Sequence, residues 1–183
     1  MKKALLFSII SIFLFSLCSF AYETIIIDFP RNSKWNVVFY RNIGTEAILQ
    51  YVPSGQSLNN WKRSIIVHSY KDSTYVARQL LGSVTLQLQV QNPTGRYEFI
   101  KVSDYDAIAV RTTNKYKGIS AQGEILRSTR AAEGLMTIQY IDKDKESFKK
   151  NYNQWLKIIK DARTYNSIWR DNRVMNKAKS FEL

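Results

Sequence analysis

The stretch EGLMTIQYIDKDKESFKKNYNQWLKIIKDAR, residues 133–163, decides the fold class. After a Glu-Gly turn, residues 135–141 have the composition and length of a strand. Apolar residues then recur at helical spacing, which predicts a helix over residues 145–163 with Asp144 as its N-cap. The predicted buried stripe of this helix consists of Phe148, Tyr152, Trp155, Ile159 and Ala162.

Most of the chain before this helix reads as further strands, because short runs of β-branched and aromatic residues alternate with turn signals. Strands mostly follow strands, so the pattern predicts an α+β protein with an antiparallel sheet rather than a doubly wound fold. Residues 64–70 carry apolar residues on both faces, which predicts a sheet covered on both sides. The other predicted strands are residues 24–29, 35–40, 46–52, 97–102, 107–114 and 123–131.

Residues 73–91 fit two patterns at once. Ala77, Leu81, Val84 and Leu88 form a helical stripe, whereas VTLQLQVQ, residues 84–91, alternates as a strand does. We predict a helix that begins after Ser73 as its N-cap. The architecture is then an antiparallel sheet with a mid-chain helix and a long C-terminal helix packed on it.

Residues 51–61, YVPSGQSLNNW, predict a corner between two strands. Proline cannot donate to a strand ladder and glycine tolerates positive φ, so the PSG segment ends the preceding strand. A short helical turn is expected to follow and to direct Trp61 into the core.

Two segments resemble known bacterial proteins. The motif Y-V-P-S-G-Q-S at residues 51–57, followed by Asn60-Trp61, resembles a motif of small uncharacterised exported proteins. The closing strand and helix at residues 133–163 resemble the Mog1/PsbP-like fold, an α/β/α sandwich, and the resemblance covers about residues 35–163. It implies an accessory, binding or assembly role rather than catalysis, and it supplies no active site.

The N-terminal residues predict export. Lys2 and Lys3 precede an apolar run, and Ser19 and Ala21 provide the small residues of a cleavage site after Ala21. The expected organisation is a cleaved signal peptide over residues 1–21, one domain over residues 22–165 and a basic tail over residues 166–183. The mature protein would have no transmembrane segment and no cysteine, and it would reside in the periplasm or outside the cell.

A formal net charge of +12 favours an acidic partner. The last helix predicts an outward basic face, which the tail extends, and we expect this surface to contact anionic lipid headgroups or an acidic protein; the alternative is a solvated face without a partner. Aromatic residues fall on core stripes instead of interleaving with the basic ones, so nucleic acid is not expected. The predicted contact residues are Lys149, Lys150, Lys157, Lys160, Arg170 and Arg173.

His68 is the only histidine, and it is the basis of the alternative functions. A secreted hydrolase would need it beside a serine and a carboxylate such as Asp72 or Asp104, but no G-x-S-x-G elbow is present. We expect a half-buried structural histidine, no catalytic residue, and no metal or cofactor, because the usual zinc ligand sets are missing. A periplasmic assembly chaperone is the third possibility.

Overall fold

A computed structural model of the chain describes residues 23–166. Within this range the chain forms nine strands and two helices, and the predicted strands and both predicted helices are confirmed. In chain order the elements are β1 (Glu23–Ile26), β2 (Trp35–Ile43), β3 (Glu46–Pro53), β4 (Arg63–Lys71), α1 (Ala77–Gln91), β5 (Arg96–Lys101), β6 (Asp106–Thr113), β7 (Gln122–Arg130), β8 (Gly134–Asp142), α2 (Lys145–Asp161) and β9 (Arg163–Asn166).

Seven strands form one antiparallel sheet in the order β2-β3-β4-β8-β7-β6-β5. Its two halves are meanders whose strands are joined by short connections, and β4 pairs with β8 where the halves meet. The strand predicted over residues 24–29 exists as β1, but it pairs with β9 in a separate two-stranded sheet. The C-terminal helix ends at Asp161, two residues earlier than predicted, and the chain continues as β9.

The two helices pack on opposite faces of the large sheet. Ala109 of β6 lies in the apolar cluster under α1, whereas its neighbour Val110 lies in the cluster under α2. Adjacent residues of a strand point to opposite faces, so the sheet is covered from both sides, as the apolar content of residues 64–70 predicted. The cover on the α1 side is centred on β6 and β7.

Aromatic rings form the centre of the core under α2. The Trp155 ring stacks on Tyr140 of β8 at 4.2 Å, and Trp35 of β2 meets Trp155 edge-on at 5.2 Å. The predicted stripe of α2 is buried at Phe148, Trp155, Ile159 and Ala162, with Tyr152 partly buried. Offset aromatic pairs at such distances add to the stabilisation from burial alone.

The start of α1 differs from the prediction. Ser73 is not its N-cap, because its Oγ accepts from the Tyr75 N–H at 3.3 Å before the helix begins. The helix starts at Ala77, and the Gln79 side chain accepts from the Val76 N–H at 3.1 Å. A glutamine at the third helical position satisfies this free backbone donor as it does in a capping box. Asp144 caps α2 as predicted, accepting from Glu146 and Ser147.

Two glycines allow a matched stability test. A Cβ on Gly123 would lie 2.2 Å from Cγ of Phe148, whereas a Cβ on Gly82, in α1, would meet nothing within 4 Å. We expect Gly123→Ala to lower the free energy of unfolding by about 1–3 kcal/mol through overpacking. Gly82→Ala should raise it by about 0.5–1 kcal/mol, because alanine is the better helix former. Urea unfolding of both variants measures this, and a neutral Gly123→Ala would contradict the tight α2–β7 contact.

Candidate functional site

The basic face predicted on α2 is exposed but partly neutralised. Lys149, Lys150, Lys157 and Lys160 all lie at the surface. The Lys149 Nζ is 2.9 Å from Glu146, however, and the Lys157 Nζ is 2.5 Å from Asp161. Each acidic residue therefore offsets one lysine of the face. The two predicted tail residues, Arg170 and Arg173, lie outside the described residues.

A larger concentration of basic residues lies at one end of the strands of the large sheet. The strand register places Arg63 of β4 opposite Asp142 of β8, and Asp142 opposite Gly123 of β7. Gly123 in turn faces Thr112 of β6, whose partner on β5 is Arg96. One end of the sheet therefore contains the starts of β4, β5 and β7 and the ends of β6 and β8. We call this end of the sheet the basic edge and the other end the opposite edge. On this basic edge lie Lys34, Lys62, Arg63, Arg96, Lys115, Lys117, Lys143 and Lys145.

The charges of the basic edge are not paired. None of its eight residues forms an ion pair with an acidic residue in the part of the chain that the structure describes. The nearby Asp142 is buried and accepts from the Tyr140 and Ser147 hydroxyls, while Asp144 caps α2. The exposed members are Lys34, Lys62, Arg96, Lys115 and Lys117.

The opposite edge carries basic residues that are paired. Arg127 and Lys101 share Asp106, at 2.7 and 2.8 Å. Lys71 lies 3.6 Å from Glu133, and Arg78 pairs with Asp104. Both edges are rich in charge, but only the basic edge has an excess of one sign. A one-sided excess of this kind produces a directed positive potential.

The connection between β8 and α2 holds two loops of the basic edge together. The Lys143 Nζ lies 3.4 Å from the centre of the Trp61 ring in the β3–β4 loop, a cation–π contact. Lys145 donates to Asn114 at the start of the β6–β7 loop, at 2.7 Å. Trp61 is half-buried beside Lys143 and belongs to neither core cluster, so its predicted position inside the core is wrong. Instead of filling the core, the Trp61 ring contacts the ammonium group of Lys143.

The motif of the β3–β4 loop is structural, as the predicted corner requires. Gly55 has φ of 86°, and the Gln56 Oε1 accepts from the Lys62 N–H at 2.7 Å. Asn60 accepts from the Ser57 N–H at 2.6 Å. These bonds shape the loop and leave Leu58 44% exposed at its tip.

The β6–β7 loop also presents an apolar side chain beside basic ones. Ile119 is 37% exposed, and the Lys117 Nζ lies 5.3 Å from the centre of the Tyr116 ring. Two loops of the basic edge therefore combine lysines with exposed apolar residues.

His68 forms a small polar cluster at some distance from the basic edge. Its Nε2 lies 3.2 Å from the Glu46 carboxylate, and its Nδ1 lies 2.8 Å from the Tyr70 hydroxyl. No serine is among these partners, and Asp104 instead pairs with Arg78. Burial raises the pKa of Tyr70 to about 12, so its hydroxyl is a poor nucleophile at neutral pH. The half-buried, hydrogen-bonded histidine is confirmed, and the serine–carboxylate partners considered for a hydrolase do not surround it.

Residues 23–166 contain neither a metal-binding cluster nor a membrane-spanning helix. No group of three or more histidine, cysteine, aspartate or glutamate side chains is arranged to hold a metal ion in that range. Neither described helix has the length and apolarity needed to cross a bilayer.

Comparison with known proteins places the chain in a family. A family model matches residues 27–167, which covers most of the chain. The chain belongs to that family. It is a small, uncharacterised bacterial family. No curated protein and no solved structure matches the chain.

The basic edge is not evident in the sequence, because its members are spread from Lys34 to Lys145. A usable signal was present nonetheless. In a meander, the end of one strand and the start of the next lie at the same end of the sheet. Basic residues in every second connection are therefore expected to lie on the same side of the domain. Lys62, Lys115 and Lys117 all lie in such connections.

The single histidine makes a pH test simple. Burial lowers the pKa of His68 below its usual 6.5, and the nearby Glu46 only partly opposes this shift. As the pH falls through 6.5, the unfolded chain binds a proton at His68 before the folded chain does, so stability should decrease. NMR titration should give a midpoint below 6.5, and His68→Gln should remove this part of the pH dependence. A midpoint at or above 6.5 would contradict the burial argument.

Proposed function

We propose that this chain is an exported, non-enzymatic binding or accessory protein that contacts an anionic partner, foremost anionic lipid headgroups, through its basic edge. The observation that carries the proposal is a contrast within residues 23–166: eight basic residues at one edge form no ion pair with an acidic residue of that range, whereas charges at the other edge are paired. Export rests on the signal-peptide pattern of residues 1–21. The relation to Mog1/PsbP-like proteins belongs to the same proposal and rests on the two helices that enclose an antiparallel sheet.

Unpaired lysines favour a phosphate-rich surface for an energetic reason. A lysine already held by a carboxylate gains little from a second anion, whereas a free one near an anionic membrane contributes about 1 kcal/mol. The five exposed residues of the basic edge meet this condition. Lysines also bind phosphate as point charges and need no fixed geometry, which suits a fluid headgroup layer.

Leu58 and Ile119 favour a lipid surface over other polyanions. Both are exposed apolar residues in loops that also carry lysines, and the half-buried Trp61 lies in the same loop as Leu58. Apolar and aromatic side chains beside basic ones suit the boundary between headgroups and acyl chains. A polyanionic sugar or an acidic protein surface would gain less from such side chains.

The α2 lysines divide between the two ends of the molecule. The helix begins at the basic edge with Lys145, so Lys149 and Lys150 lie close to that edge. The C-terminal end of α2 is bound by Arg127, which donates to the carbonyls of Ile159 and Lys160 at the opposite edge. We therefore assign Lys150, but not Lys157 and Lys160, to the proposed contact surface. Lys149 lies near it but is already held by Glu146.

Vesicle cosedimentation tests the proposal. The variant Lys62→Gln/Lys115→Gln/Lys117→Gln removes three free charges and should bind phosphatidylglycerol vesicles on the order of 100-fold more weakly than the wild type. The matched control, Lys71→Gln/Lys101→Gln/Lys157→Gln, removes three paired lysines and the same net charge. It should bind nearly as the wild type does. Equal losses in both variants would mean that only net charge matters, and no binding by the wild type would refute the lipid proposal.

The apolar loop residues allow a second test. Leu58→Ser/Ile119→Ser should weaken binding to phosphatidylglycerol vesicles about tenfold, because less apolar surface is removed from water on binding. Binding to heparin, which has no apolar layer, should not change. The control Ile43→Ser/Val102→Ser removes two apolar residues that are 56% and 60% exposed outside the basic edge. An equal loss on vesicles and heparin would contradict the role of the loops in lipid contact.

A further inference from the structure

Helix α1 has a second apolar face that nothing in the described chain covers. Leu80, Leu81 and Ala77 pack against the sheet, yet Leu86 is 67% exposed and Val90 is 78% exposed. The strand-like alternation of residues 84–91 explains this arrangement. In a helix, alternate positions lie about 200° apart, so Val84 and Leu88 turn inward and Leu86 and Val90 outward.

The exposed face continues onto the neighbouring edge strand. Leu86, Tyr97 and Phe99 line one open groove of about 300 Å³ between α1 and β5. Phe99 is itself 54% exposed, and Val90 lies one turn of α1 beyond Leu86. Three large apolar side chains therefore form one continuous surface, the α1 patch: Leu86, Val90 and Phe99.

Two residues of the α1 patch, Leu86 and Val90, lie in an unusually long uncharged segment of the sequence. Residues 79–95 contain no charged residue, although charged residues make up 23% of the chain. The last turn of α1 has no basic residue and its first turn no acidic one. A solvent-exposed helix of a strongly basic chain would ordinarily carry charges for solubility, so the composition indicates a surface that is covered.

We propose that the α1 patch is the interface of a homodimer, in which two copies pack α1 against α1 about a two-fold axis. The charge distribution selects the partner. Two copies of so basic a chain repel one another wherever basic residues meet, and the described sheet edges and the outer face of α2 carry such residues. A two-fold contact through residues 79–95 brings two uncharged surfaces together and buries the same apolar residues on both copies.

This interface is independent of the proposed lipid contact. It uses none of the residues of the basic edge, all of which lie outside residues 79–95. A dimer would present two basic edges, and simultaneous engagement of both would raise the apparent affinity for an anionic surface without a new contact.

Analytical ultracentrifugation of the purified wild-type protein over a range of concentrations tests the dimer. We expect a dimer for the wild type and a monomer for Leu86→Lys/Val90→Lys, with dimerisation weakened more than about 100-fold by a buried charge and lost apolar contact. The milder Leu86→Gln/Val90→Gln should dissociate at intermediate concentration. Circular dichroism of each variant shows whether the fold is retained.

The matched control is Ile43→Lys/Tyr105→Lys, which adds the same charge at residues that are 56% and 75% exposed outside the α1 patch. This variant should remain dimeric. A wild type that is monomeric up to its solubility limit would overturn the proposal. So would a dimer that persists in Leu86→Lys/Val90→Lys, or one that the control disrupts equally. A monomeric wild type that binds neutral vesicles through Leu86 and Val90 would overturn it in favour of a lipid partner.

Discussion

Nine residue pairs, from Arg63 with Asp142 to Lys71 with Gly134, join β4 to β8. These strands are separated in sequence by α1 and by β5 to β7, so closing the intervening chain has an entropic cost that local contacts cannot offset. The pairing of β4 with β8 is stabilised by the core beneath it, where Ile65 and Tyr140 are fully buried and Trp155 stacks on Tyr140. Without this pairing the chain would consist of two separate meanders.

A buried polar cluster lies on the neighbouring strands β6, β7 and β8. Glu124 of β7 is fully buried, yet it accepts from Arg111 at 2.5 Å, from Gln122 and from Gln139 of β8. A buried carboxylate with three donors avoids the desolvation cost that an unpaired charge would carry. Arg111 also donates to the carbonyls of Leu88 and Asn92, which ties the end of α1 to the sheet. Helix and sheet are thus joined by the hydrogen bonds of Arg111 as well as by apolar packing.

The distribution of charge on the surface follows from the register of β4 with β8. Joining the two meanders brings the β3–β4 loop and the β6–β7 loop to one edge, where Lys143 and Lys145 contact one loop each. At the other edge, Glu133, Asp104 and Asp106 pair with Lys71, Arg78 and Lys101 respectively. The family match identifies the chain's relatives without supplying a function, so the proposed functions rest on this uneven distribution of charge and on the uncharged α1 patch.

Local sequence signals were sufficient to predict the helices and strands, because strand alternation, helical stripes and the Asp144 cap are each encoded within a few residues. The sequence also determined that both faces of the sheet are covered, from the apolar content of residues 64–70. It did not place Ser73 correctly, because the Ser73 Oγ accepts from the Tyr75 N–H before the helix begins, nor Trp61, whose ring contacts the distant Lys143. The pairing of Lys149 with Glu146 and of Lys157 with Asp161 is local to one helix. The basic edge was decided only by the tertiary structure. Its charges lie far apart in sequence and meet only through the register of β4 with β8, which no local periodicity encodes.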